Sequence, residues 1–387
     1  MPIKNRFAEL LPEITAWRRD LHENPELLFE TRRTAGLVAA RLREFGCDEV
    51  TEGIGRTGVV GVIRGRNNRS GRVIALRADM DALPIHEATG LPHASKVPGV
   101  MHACGHDGHT AMLLGAAKYL AGTRNFDGTC VVIFQPAEEG GGGGRVMVED
   151  GMMERWAIDE VYGMHNWPGM PVGSFAIRPG PFFAATDQFA ITVTGKGGHA
   201  AKPHHSLDPV VTAAQMVMAF QTIASRNADP VEQIVVSVTS VESSSKAFNV
   251  IPARVTMKGT IRTLSKEMRA LGEARLKALA RLTAEAFGAT ADVEWLAGYP
   301  AMVNHETETR HAVETATEIA GACAEAPLVM GGEDFAYMLE RRPGAYILLG
   351  NGDTAHVHNA EYDFNDEAIP AGCSWLAGMI ERRLPAA

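Results

Sequence analysis

The chain has 387 residues, 45% of them apolar, enough to bury a sizeable core and to expect two domains rather than one. A net charge of -9 offers no basic footprint for nucleic acid, Met1 to Asn5 runs into mixed polar sequence without the apolar run of a secretory signal, and no segment is long and apolar enough for a bilayer span. Cys47, Cys104, Cys130, Cys323 and Cys373 form an odd, irregularly spaced set, which argues against a disulfide framework and for a reducing, cytoplasmic compartment.

Phe7 to Phe45 reads as helix, broken at His22-Glu23-Asn24-Pro25. Short, near-continuous apolar runs follow at Val73 to Arg77, Cys130 to Gln135, Glu160 to His165 and Tyr346 to Leu349, as expected for strands covered on both faces. Helical stretches such as Gly108 to Ala121 fall between them, and this alternation predicts a parallel α/β sheet. Gly140 to Gly144 is the one low-complexity run and reads as a flexible loop. From about Asp187 the pattern changes: strand Gln188–Thr194, helix Pro209–Ser225, strands Gln233–Val241 and Arg254–Thr263, helix Lys266–Phe287, strand Ala291–Leu296. The order β-α-β-β-α-β is the split, ferredoxin-like pattern. Its place in mid-chain implies an insertion at 186–297 into a first domain made of 1–185 and 298–387.

Chemistry concentrates at a few points. His102-Ala103-Cys104-Gly105-His106-Asp107-Gly108-His109 puts one thiol and three imidazoles in eight residues, just before a helix that Asp107 could cap. Residues two apart on extended backbone project to one side, so Cys104 and His106 can reach one centre, and both are good ligands for zinc-like ions. His102 and His109 read as structural or ligand-supporting. Glu138-Glu139 follows an apolar strand, where sites in α/β sheets lie, and two buried neighbouring carboxylates call for a cation. One would bind metal while its neighbour faces the reacting water. His165 ends a third strand, His358 lies in a loop near the C-terminus, and Asp79 and Asp81 end another strand in position to orient ligands.

In these motifs, and in Arg77 to Pro84, Gly195 to Ala201, Phe248 to Pro252, Gly331 to Phe335 and His358 to Asp366, the chain resembles the M20 family of metallopeptidases over essentially its whole length. The resemblance is greatest to the amidohydrolase branch, with its hippurate hydrolases, aminoacylases and indoleacetyl-amino acid hydrolases. It implies a mixed-sheet α/β catalytic domain, with an inserted ferredoxin-like domain serving as lid and dimer contact. It also implies two divalent ions per subunit, zinc or manganese foremost and cobalt or nickel as alternatives. The implied ligands are Cys104, His106, Glu139, His165 and His358, with Cys104 bridging and Glu138 as general base. Relatives elsewhere in the family carry Asp at the cysteine and His where Asp79 stands. His199 is implied to reach the active site of a dimer partner, and Asn249 and Arg262 to contact the substrate α-carboxylate. A guanidinium suits that contact. Gly332, in Gly331-Gly332-Glu333-Asp334-Phe335, brings backbone amides near the expected substrate; His204 and His205 receive no role. The expected activity is hydrolysis of N-acyl-amino acids. The alternatives are a dipeptidase or carboxypeptidase of the same family, and a non-catalytic metal-dependent binding protein.

Overall fold

The structure, a computed structural model, describes residues 3–386. Two compact units divide the chain: Met1–Gly180 with Val303–Pro327 and Asp334–Ala387, and Pro181–Met302 with Leu328–Glu333.

The first unit begins with α1 (Ile3–Glu23) and α2 (Arg32–Glu44), separated where Pro25 interrupts the helical run. It continues through β1 (Glu49–Ile54), β2 (Gly58–Arg64), β3 (Val73–Asp79), α3 (His106–Thr123), β4 (Thr129–Gln135), β5 (Glu160–Pro168) and β6 (Phe175–Ile177). The second unit supplies β7 (Ala185–Thr194), α4 (Pro209–Thr222), β8 (Ile234–Ser243), β9 (Arg254–Thr263), α5 (Lys266–Ala286) and β10 (Thr290–Leu296). The chain then returns as α6 (Glu306–Ala320), β11 (Ala324–Glu325), β12 (Gly344–Gly352) and α7 (Ile369–Arg383).

The first unit's sheet has the order β1-β2-β4-β3-β5-β12-β6-β11. Its four central strands, β4, β3, β5 and β12, are parallel. The flanks are not: β1, β2 and β4 pair antiparallel, and so do β12 and β6. The sheet is therefore mixed, as the family resemblance implied, and the parallel sheet read from the apolar runs is its central part. Buried runs mark the centre of a sheet, whereas strand direction depends on connections that apolar content does not encode. Helix α3 is apolar on nearly every side because it lies inside the unit, between the sheet and helices α1 and α7. Met112, Leu113, Leu114 and Leu120 are fully buried there, each contributing roughly 1.5–3 kcal/mol by leaving water. Because the central strands run the same way, the loops after Asp79, Gln135, Pro168 and Gly352 all leave at one edge of the sheet, and His165 lies inside β5 three residues before its end.

In the second unit, the strands taken first to fourth lie in the order 2-3-1-4 (β8-β9-β7-β10), all antiparallel. Alternate residues of β7, among them Phe189, Ile191 and Val193, point into a core shared with Met216 and Phe220 of α4 and Leu276 and Ala280 of α5. The second unit also takes Leu328–Glu333, a segment assigned to the first domain in the sequence reading. Its backbone ladders with the start of the unit, the Val329 N–H donating to Phe182 O (2.9 Å) and the Ala184 N–H to Val329 O (3.0 Å). A second local expectation also changes. Gly143 and Gly144 are not loop but the buried start of a short helix, Gly143–Glu149, in which the Gly144 N–H donates to Asp334 Oδ2 at 2.7 Å.

Candidate metal centre

The loop entering α3 turns at Gly105, whose φ of +84° is open to glycine. Space imposes the same choice, because a Cβ there would sit 2.3 Å from the Asn166 side-chain nitrogen and 2.4 Å from the Tyr362 hydroxyl. Gly105 is thus the N-cap residue of α3, and Asp107 does not cap it. Its carboxylate turns instead to His22 Nδ1 at 2.8 Å, deep in the unit. With that turn fixed, Cys104, His106 and His165 converge, their ligand atoms lying within 4.8 Å of one another. Two further groups at the same separation, Cys104–Glu139–His358 and His106–Glu138–Glu139, share members with it. Five donors from four separate segments thus form one cluster with Glu138 beside it.

Carbonyl partners fix which histidine nitrogens face the cluster. A carbonyl oxygen only accepts, so Asp81 O at 2.9 Å places the His106 proton on Nδ1, and Asn166 O at 2.6 Å does the same for His165. In both residues the Nε2 lone pair is left to the cluster: His165 Nε2 lies 3.4 Å from Cys104 Sγ, and His106 Nε2 is buried without a hydrogen-bond partner. A buried, aimed and orphaned imidazole nitrogen among a thiol and carboxylates fits a divalent metal ion. His358 Nε2 lies 3.3 Å from Glu139 Oε1 and is the exposed member of the cluster. His358 and Ala137, which precedes Glu138, both hold positive φ (+65° and +54°), a strain typical of functional positions.

The electrostatics agree. Burial, then Glu139 and Glu138, push the Cys104 thiol well above its usual range, so a thiolate there requires a cation. Burial alone would lower His106, but Asp79 and Asp81 outweigh it and raise it to about 10, the mark of a field that draws positive charge. Burial and neighbouring His109 hold His165 far below the usual imidazole range, leaving it neutral. Burial works to raise Glu139, yet His358 and His106 keep it below the ordinary carboxyl value.

Asp81 fixes the paired glutamates: its two oxygens accept the Glu138 and Glu139 N–H groups at 2.9 and 3.1 Å. Glu138 is buried, and its Oε1 lies 3.4 Å from the Asp334 N–H. Sequence reasoning missed the support beneath. Arg77, fully buried, donates to Asp79 Oδ2 (2.7 Å), Gln135 Oε1 (2.9 Å) and Asp334 Oδ1 (2.9 Å), and Gln135 in turn donates to Asp334. The only sequence signal was an arginine inside an apolar strand. The motifs of the sequence assign no task to Asn166 or Tyr362.

His199, Asn249, Arg262 and Gly332 lie in the second unit. A two-residue ladder brings the first two together: His199 pairs with Val250, and the Ala200 N–H donates to Asn249 O at 3.0 Å. His199 is exposed, and its Nδ1 accepts the Ala201 N–H at 3.1 Å, which puts its proton on an outward-available Nε2. Arg262 lies apart on β9, donating within its own strand to Thr260 Oγ1 and to Ile261 O (3.2 Å). Gly332 packs on Thr186, where a Cβ would come within 2.6 Å of its methyl.

Residues 75–382 match the profile described as peptidase family M20/M25/M40. A hippurate hydrolase of Campylobacter jejuni is 42% identical over 98% of each chain, and an N-acetylcysteine deacetylase of Bacillus subtilis is 39% identical over 94% of each. The crystal structure of a dinuclear metal-binding M20-family peptidase from Bacillus subtilis superposes with a TM-score of 0.86 at 35% identity, covering 98% of this chain and 100% of that one.

Proposed function

Because the chain belongs to peptidase family M20/M25/M40, we propose that it hydrolyses the amide bond of N-acyl-amino acids to a carboxylic acid and a free amino acid. The observation that carries this reading is the five-donor cluster, buried at Cys104, His106 and His165, with the buried Glu138 carboxylate beside it. Cys104, His106, Glu139, His165 and His358 would hold two divalent ions, zinc or manganese foremost and cobalt or nickel as alternatives. When bound, such ions lower the pKa of a shared water and stabilise charge on a carbonyl oxygen. Glu138 accepts the proton of the attacking water and delivers it to the leaving nitrogen. His199, reaching in from a second copy of the chain, donates from Nε2 to the oxyanion. Asn249, Arg262 and the Gly332 backbone hold the substrate carboxylate.

A second copy is supported by the second unit's surface. Val211 and Met218 lie exposed on α4, and Val235 and Val241 lie exposed on β8, an edge strand with one side unpaired. We place the enzyme in the cytoplasm from its cysteine usage. Among the described residues, no helix is long and apolar enough to cross a membrane.

The test is a hydrolysis panel of acetyl, benzoyl and indoleacetyl amino acids against dipeptides, using apoenzyme reloaded with each metal in turn. Turnover of the acyl-amino acids with added metal is expected. Preference for dipeptides would make the enzyme a dipeptidase, and equal turnover without metal would remove the metalloenzyme reading.

A further inference from the structure

His109 has a nitrogen within ligand distance of Asp79 and His106, so the geometry alone admits it as a metal ligand. Its hydrogen bonds argue otherwise. The backbone N–H of Asn166 has only a proton to offer, and it points at His109 Nε2 over 2.9 Å. Nε2 therefore accepts, the ring proton sits on Nδ1, and Nδ1 donates to Asp79 Oδ1 at 2.6 Å. Asp79 is itself anchored by Arg77. Both ring nitrogens are engaged, and the ring packs edge-on against His165 (centroids 4.7 Å apart) and stacks on His106 (5.4 Å).

Asn166 distributes what His109 holds. Its side-chain nitrogen donates to Cys104 O at 2.6 Å and its side-chain oxygen accepts the Tyr362 hydroxyl at 2.7 Å, while its backbone carbonyl takes the His165 proton. One residue thereby ties the segments carrying Cys104, His165 and, four residues before Tyr362, His358.

Building on the metal-centre reading above, we propose that His109 is the positioning residue of this centre. Locked as the Nδ1–H tautomer between Asp79 and Asn166, it fixes the Asn166 amide and so sets the mutual spacing of three donor-bearing segments before metal arrives. Preorganisation of this kind raises metal affinity by removing the reordering that binding would otherwise require.

The experiment is a competitive chelator titration with zinc on the metal-stripped full chain, comparing wild type with His109→Phe, His109→Gln, Tyr362→Phe and the His109→Gln/Tyr362→Phe double variant. Metal-free thermal melts and near-ultraviolet circular dichroism score folding separately. His109→Phe keeps the ring and loses both hydrogen bonds, so zinc affinity should fall on the order of tenfold to a hundredfold. His109→Gln restores an acceptor to the Asn166 N–H and should recover part of that loss. The double variant should lose less than the product of its single losses, because both side chains act through one amide. Unchanged zinc affinity in His109→Phe, or multiplicative losses in the double variant, would overturn the proposal. If His109→Phe does not fold, the glutamine and phenylalanine pair still decides it. Wild type failing to bind two zinc ions would instead sink the dinuclear reading beneath it.

Discussion

Glu138 and Glu139 share a peptide bond yet face different partners, since Asp81 pins both amides and the strained Ala137 turns the chain into them. The geometry gives Glu139 to the donor cluster with His358 and leaves Glu138 against the Asp334 amide. Glu138→Gln should therefore lower kcat by about three powers of ten or more while metal content, read by elemental analysis, stays at the wild-type level. Glu139→Gln should lower metal content as well. Retention of most activity by Glu138→Gln would remove it as the base. Cys104, His106, Glu138 and Glu139 were legible because each sits in a dense local pattern, the first two at the entry to α3 and the glutamates just beyond β4. Apart from Arg77–Asp79, the contacts that give Arg77, Asn166, Tyr362 and His109 their tasks join residues 30 to 269 positions apart, as Asp79–His109 and Arg77–Tyr346 show, and one-dimensional spacing does not display such pairs.

At the scale of elements, α1 reaches the loops around the site through buried charge. Arg18 Nε donates to Asp366 at 2.8 Å, its Nη1 lies 3.4 Å from Asp363 and 3.6 Å from Asp107, and its Nη2 faces His93. One turn on, His22 bonds Asp107 and lies 3.3 Å from Glu87, with His93 and His102 as ring neighbours. Burial lowers the His22 pKa, but Asp107 and Glu87 outweigh it and raise it to about 9, while Glu87 is held down near 2 and His102 near 4. A histidine raised on folding contributes stability that is fully present below its unfolded pKa of about 6.5 and is lost as pH rises through about 9. The difference in melting stability between metal-free wild type and His22→Gln should therefore be largest near pH 6 and shrink, on the order of 3 kcal/mol, by pH 10. A difference constant across that range would show His22 to be neutral in the folded state. The helix break at Pro25 was readable, whereas this network was not, because a buried Arg18 looks like any surface arginine on an amphipathic helix until its partners are known.

For the whole molecule, the ferredoxin-like order of the second unit was readable from the change in element rhythm at Asp187. Its claim on Leu328–Glu333 was not, since six residues joining by backbone ladder leave no pattern in side-chain chemistry. The same limit applies to assembly: exposed Val211 and Met218 break the amphipathic pattern of α4, but no sequence rule says what covers them. A complementation experiment can separate a dimer that merely associates from one that shares its sites. In the proposed arrangement each centre takes Glu138 from one chain and His199 from the other, so Glu138→Gln and His199→Gln homodimers are both impaired at both sites. Dissociated and re-associated in equal amounts, half of the dimers are mixed, and each mixed dimer has one centre with native Glu138 and native His199. About a quarter of all centres should then regain wild-type turnover, as closed two-fold assembly requires. Met218→Asp in both parents should abolish the gain, by placing charge in the contact, without changing the metal content of either chain. If mixing restores nothing while light scattering confirms exchanged dimers, His199 serves its own chain or none. If the Met218→Asp chain with native Glu138 and His199 is monomeric and keeps full activity, the centre is complete in a single subunit.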